Sequence, residues 1–266
     1  MSVLISSSAP GAPYIRAGFR WDAAQAYLFD IDGTLLNCRD TVHYRAFHLA
    51  VQDVLGIEAG IDGVPVHGNT DIGILRAALR RAGVDDARVD HHLPQIVEHM
   101  CAEAHRRREQ LFPELCPSIR ELVLHLLRRG KLTGIASGNL EPIGWIKLEK
   151  ADLKPLFSFG SFAWPRESRA EIFAHGAFLA RQRLRPSAGV CVLGDTPADI
   201  HAARVAGLPI IVLATGIYSF ADLLAYEPDA CFASASDLLA LGNRIGGDSP
   251  VTAQTSRPGP FSNRVE

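Results

Sequence analysis

The sequence has no surplus of charge, no long apolar run and no cysteine pattern, and each absence removes a class of protein. Lys and Arg number 27 against 29 Asp and Glu, a formal net charge of −2. That balance gives neither nucleic acid nor an anionic membrane a reason to bind. No apolar stretch approaches the ~20 residues that span a bilayer. Met1 to Gly18 places no basic side chain ahead of the short Val3-Leu4-Ile5 run, which argues against a secretory signal. The five cysteines, at 38, 101, 116, 191 and 231, are odd in number and lack Cys-x-x-Cys spacing, so a reduced, cytoplasmic setting is expected. The ten histidines show no metal-ligand spacing. Lysine is scarce as well, with four residues at 131, 147, 150 and 154. No internal repeat is visible.

What remains is an ordinary globular composition, 47% hydrophobic and 21% charged, long enough for one domain with an insertion or for two. Residues 1–20, rich in Ser, Ala, Pro and Gly, read as a loose lead-in. Tyr27 to Ile31 reads as a buried strand. From Val42 the apolar spacing becomes helical as far as Gly56. Further helices are expected from Asp71 to Arg81, capped by Thr70 or Asn69, from His91 to about Arg108, and from Pro117 to Arg129. Beyond Gly130 the rhythm alternates. Strands are expected at Leu132–Ala136, Leu156–Phe162, Gly189–Leu193, Pro209–Ala214 and Ala230–Phe232. Helices to about Lys150 and over Arg169–Arg183, Pro197–Ala206, Ala221–Ala225 and Asp237–Leu241 separate or follow them. The tail from Gly246 reads as disordered. Strands alternating with helices predict an α/β protein with a parallel sheet wrapped on both faces. The helix-only stretch 43–110 reads as an inserted all-helical domain. The core is then 21–42 with 111–242, and 243–266 is the tail.

Three strand ends carry chemistry, and in an open parallel sheet ligands bind beyond the carboxyl ends of strands. Asp30 and Asp32 lie two apart, so an extended chain would turn both carboxylates to one side. Gly33 permits a sharp turn there, and Thr34 adds a hydroxyl. Ser137-Gly138-Asn139 precedes a helix, where a hydroxyl and backbone N–H groups suit an anion. Asp195 and Asp199 flank another strand-to-helix turn. Four acids facing phosphate-holding donors form a surrounding that suits Mg²⁺.

These residues together resemble the haloacid dehalogenase superfamily, in the hydrolase branch related to phosphoglycolate phosphatase and β-phosphoglucomutase. Asp30-Ile31-Asp32-Gly33-Thr34 is similar to the family's first motif, Ser137 to its second, and Gly194-Asp195-Thr196-Pro197-Ala198-Asp199 to its fourth; the likeness spans about 26–240. The resemblance implies a Rossmann-like core with a helical cap, in which Gly68-Asn69-Thr70-Asp71 resembles a turn common there. It also implies a Mg²⁺-dependent phosphatase acting on a small phosphorylated metabolite. Asp30 would attack phosphorus, and Asp32 would protonate the leaving oxygen and then activate water. The metal set would be Asp30, Asp32 through its carbonyl, and Asp195, with Asp199 binding directly or holding the outer shell. Ser137, Gly138 and Asn139 would grip the phosphoryl group. The family's third motif is usually Lys at the start of the helix preceding the fourth. Here that position is Arg169, with Lys147 as the alternative; Lys154-Pro155 precedes the wrong strand.

Plainer readings exist for several of these residues. Ser137 and Asp199 also suit helix caps, Arg106-Arg107-Arg108 suits a solvated helix face, and Trp145 and Trp164 suit packing. Two other functions compete. One is a phosphosugar mutase of the same fold, against which Thr34 speaks because related mutases tend to carry Val or Ile there. The other is a non-catalytic binding protein, favoured only by the missing Lys.

Overall fold

The computed structural model describes residues 12–38 and 41–245. Its strands are β1 (Tyr14–Ile15), β2 (Ala26–Phe29), β3 (Leu36–Cys38), β4 (Pro113–Leu115), β5 (Leu132–Ala136), β6 (Gly160–Ser161), β7 (Val190–Gly194), β8 (Ile210–Leu213) and β9 (Ala230–Phe232). Its helices are α1 (Val42–Leu55), α2 (Asp71–Arg81), α3 (Asp86–Arg106), α4 (Ile119–Arg128), α5 (Glu141–Lys150), α6 (Arg169–Arg183), α7 (Pro197–Val205), α8 (Phe220–Leu224) and α9 (Ala235–Ile245).

Seven strands form one sheet in the order β1-β9-β8-β7-β2-β5-β6, parallel except for β1, which pairs antiparallel with β9. Every residue of β2, β7, β8 and β9 is buried, because helices cover both faces and alternation in polarity has no solvent side to serve. Alternation survives instead as a division of partners. Leu28, Val192 and Val212 join the cluster that contains Ile172, Phe173, Ile200 and Ala203 of α6 and α7. Tyr27, Phe29, Leu193 and Leu213 join the one that contains Leu122, Val123 and Leu126 of α4 and Leu238 of α9.

Register positions the chemistry. Phe29 lies level with Ile135 on one side and Leu193 on the other. The three strands therefore end together, and Asp30, Ser137 and Asp195 leave the same edge. Helices α1, α2 and α3 stand apart from the sheet as a cap. The chain leaves for the cap and returns through a two-stranded ribbon in which Leu36 pairs with Leu115 and Cys38 with Pro113.

Several expectations are corrected. Tyr14–Ile15, assigned to the lead-in, is an edge strand, whereas residues 1–11 and the tail from 246 lie outside the described residues. The strand expected over Leu156–Phe162 is a short 3₁₀ turn, Lys154–Leu156, followed by the two residues of β6. The third helix begins at Asp86 rather than His91, because Asp85 caps it by accepting from the Arg88 N–H at 2.9 Å. The closing helix runs through Ala235–Ile245 and is longer than the turn expected at Asp237–Leu241. No described helix is long and apolar enough to cross a membrane.

Candidate active site

Asp30 follows β2 directly, and its N–H still donates to Leu193 O at 3.0 Å. Its side chain is buried, and Arg169 at the start of α6 meets it, Nη2 to Oδ2 at 2.8 Å. The same guanidinium turns its Nε–H to Asp199 Oδ1. One planar fork thus holds two buried carboxylates, a geometry lysine cannot reproduce. Arg169 stands where it does because Ser168 and Glu171 form a capping box that starts α6 there.

Asp195 and Asp199 flank the turn from β7 into α7. Asp199 is fully buried, and Oδ2 accepts from the Asp195 N–H (3.2 Å), the Thr196 N–H (3.0 Å) and the Thr196 hydroxyl (2.8 Å). With Arg169 on its other oxygen, it is committed to the scaffold. Asp195 is placed from three sides. Thr34 Oγ1 donates to Oδ1 at 2.8 Å. A Cβ added to Gly33 would lie 2.1 Å from Oδ2, and one added to Gly216 only 1.9 Å away, so both positions have to be bare for this carboxylate to fit.

Asp32 takes another direction. Lys147 of α5 donates to Oδ1 at 2.9 Å and Oδ2 at 2.7 Å. Asn139 adds its amide at 2.8 Å and also bonds Ser137 Oγ at 2.9 Å. The Lys147 side chain is 3% exposed and that of Asp32 44%, so the lysine is sealed behind an acid that faces open space. That space is a cavity of about 380 Å³ lined by Asp30, Asp32, Ser137, Gly138, Asn139, Lys147, Arg169 and Asp195. The cap closes it from above. Asp71 donates its N–H to Gly138 O at 2.8 Å and accepts the Leu140 N–H at 2.7 Å, and Thr70 caps α2 while donating to Glu167 O at 2.8 Å.

Burial pushes the Asp30 carboxyl up to about 6; Arg169 opposes this, and Asp199 and Asp32 add to it. Burial, together with Asp199 and Asp30, drives Asp195 well above the carboxylate range. Asp32 goes the other way: burial disfavours its charge, but Lys147 and Asn139 outweigh that and hold it below the usual range. Lys147 is raised, because Asp32 overcomes the burial that would lower it.

One oxygen from each of Asp30, Asp195 and Asp199 lies within 4.8 Å of the others. All three are hard oxygen donors, and burial with mutual repulsion pushes Asp30 and Asp195 toward protonation despite Arg169, so the group fits a divalent cation such as Mg²⁺. The fourth acid, Asp32, turns its carboxylate to Lys147, which leaves its backbone carbonyl as the group expected to face the metal. The expected choice between Arg169 and Lys147 also takes a different form, since both cations reach the site and each holds its own acid. The sequence shows Thr34 as a hydroxyl beside the acids, but its bond to Asp195 and that of Asn139 to Asp32 went unread, because they cross 161 and 107 residues of sequence, and Gly216 went unread altogether.

A doubly covered parallel sheet with aspartates gathered at its carboxyl edge under a helical lid defines a hydrolase of the Rossmann-like class. The family model for haloacid dehalogenase-like hydrolase matches residues 24–207, and the chain belongs to that family. It is similar to the phosphoglycolate phosphatase of Synechococcus elongatus, at 27% identity over 219 residues covering 81% of this chain and 95% of that protein. Among solved structures it is similar in fold to a predicted phosphoglycolate phosphatase from Haemophilus somnus (TM-score 0.59, 18% identity, 83% of this chain and 98% of that one). It is likewise similar to CbbY from Rhodobacter sphaeroides in complex with phosphate (TM-score 0.57, 21% identity, 81% and 96%).

Proposed function

We propose that the protein is a Mg²⁺-dependent phosphatase that hydrolyses a small phosphomonoester through a phosphorylated Asp30. The observation that carries this is the single cavity shared by Asp30, Asp32, Ser137 and Asp195, with Arg169 bracing the first of them. An Asp30 oxygen attacks phosphorus as the ester P–O bond breaks, and Asp32 gives its proton to the departing alkoxide. Water then attacks the acyl phosphate, Asp32 takes the proton of that water, and inorganic phosphate leaves with Asp30 regenerated. Lys147 and Asn139 aim Asp32 and favour the ionised form that the second step needs, so the proton it gives in the first is one it takes up from the phosphate monoanion as the ester binds. Ser137, Gly138 and Asn139 receive phosphoryl oxygens. Asp30, Asp195 and the Asp32 carbonyl would hold Mg²⁺, with Asp199 steadying the group, and the ion would supply positive charge to offset the negative charge developing on the phosphoryl oxygens.

Thr34 favours hydrolase over mutase, since its hydroxyl holds Asp195 and an aliphatic residue would not. Arg169 supplies the positive charge whose absence would have favoured a non-catalytic protein. A cavity of this size suits a metabolite, and the cysteines suit the cytoplasm. The test is phosphate release from 4-nitrophenyl phosphate. Activity that disappears with chelator and in Asp30→Asn is the expected result; wild-type release no faster than that variant across a broad panel of phosphate esters sinks the reading.

A further inference from the structure

The phosphoryl end of the cavity is strongly polar, and the cap end is not. Tyr44, Phe47, Ile61, Val66, Ile74 and Met100 line it from α1, the following loop, α2 and α3. Of the polar side chains the cap contributes, His43 Nε2 sits 3.1 Å from Asp71 Oδ2, that same oxygen accepts the Leu140 N–H, and Asn69 donates to Pro65 O at 3.0 Å, while His67 adds an imidazole rather than a fixed cation. Among the described residues that line the cavity, Lys147 and Arg169 carry the fixed positive charge. Lys147 is bound to Asp32 and Asn139, and Arg169 to Asp30 and Asp199.

We infer that the leaving group is an uncharged alcohol with an apolar body of benzyl or medium alkyl size, rather than one that bears a carboxylate or a second phosphate. This rests on the hydrolase reading above. A carboxylate lodged against Phe47, Ile74 and Met100 would give up its water without gaining a fixed cation, and a buried unpaired charge is the costliest outcome available to it. An apolar body gains by leaving water for the same wall. A cavity of about 380 Å³ also lies within the range that encloses ligands larger than a two-carbon acid.

The experiment compares kcat/KM of the Mg²⁺-loaded protein on benzyl phosphate and on 2-phosphoglycolate, two esters of ordinary alcohols, with Asp30→Asn as background. The expected result is a preference of at least ~10-fold for benzyl phosphate, of the order one or two methylenes command in an apolar pocket. Ile74→Lys and, in the loop, Val66→Lys supply the missing cation. Each should lower the benzyl-to-glycolate ratio by ~10-fold or more, and a ratio is insensitive to any loss of folded protein. Turnover that favours phosphoglycolate, or ratios unmoved by both variants, overturns the inference and leaves the hydrolase standing. Turnover of neither ester above the Asp30→Asn background overturns the hydrolase itself, and this inference with it.

Discussion

At Gly216 a single methyl group would collide with the carboxylate that the candidate metal site depends on. Its Cβ would fall inside the Asp195 side chain, so Gly216→Ala must displace Asp195 without removing any acid from the sequence. The expected outcome is a rise of at least ~10-fold in the Mg²⁺ concentration for half-maximal phosphate release, the scale on which outer-shell changes act; an unchanged Mg²⁺ titration would show that Asp195 is not a ligand. Asp199 poses a different question. Its removal leaves Arg169 buried with one carboxylate instead of two, and breaking such a pair costs about 3–5 kcal/mol. Asp199→Ala should therefore show that loss in denaturant unfolding, whatever it does to turnover. Asp30, Asp32, Ser137, Asp195 and Asp199 were legible as candidates because each sits in a short local pattern at a strand end. The Thr34–Asp195 and Lys147–Asp32 bonds were not, since no local pattern records which distant strand ends become neighbours.

Among the elements, long and strongly patterned pieces were readable and short ones were not. α6 was expected over Arg169–Arg183 and is found there, because Ser168 and Glu171 mark its start as plainly as its apolar spacing marks its body. β6 has two residues and the ribbon strands three; their conformation is imposed by neighbours in space, and Pro113 gives no hint of a strand. α4 carries a further property that only packing shows. His125 is buried against Trp21, ring centroids 6.3 Å apart, and its Nε2 has no hydrogen-bond partner among the described residues. Burial, with Arg129 and Arg128 nearby, lowers its affinity for a proton. The unfolded chain then takes up that proton first, so stability is complete above the ordinary histidine value of about 6.5 and declines as pH falls below it. His125→Leu should remove this contribution. Between pH 7.5 and 5.5 the variant should gain stability relative to wild type in urea unfolding, and parallel pH curves would refute the account.

For the whole molecule, three acids crowded around one guanidinium make the folded state a receptor for a further cation. A ligand that binds only the folded state at 100 times its Kd adds about 2.7 kcal/mol. In a chain of this length that corresponds to a rise in Tm of roughly 5–10 °C. Mg²⁺ should produce such a shift in the wild type and little of it in Asp195→Asn; equal shifts in both would place the ion elsewhere. Architecture at this level was the most readable of all, because alternating strands and helices with one helix-only interruption admit few arrangements.

The chain enters and leaves the helical stretch through one ribbon, where Asn37 lies opposite Glu114, and that stretch also rests on the core through Asp71 with Gly138 and Leu140 and through Arg76 with Glu167. The insertion therefore begins and ends at neighbouring positions. It is also a cassette. The stretch between those two paired positions could be exchanged for another, altering which alcohols are admitted while the sheet beneath keeps its register.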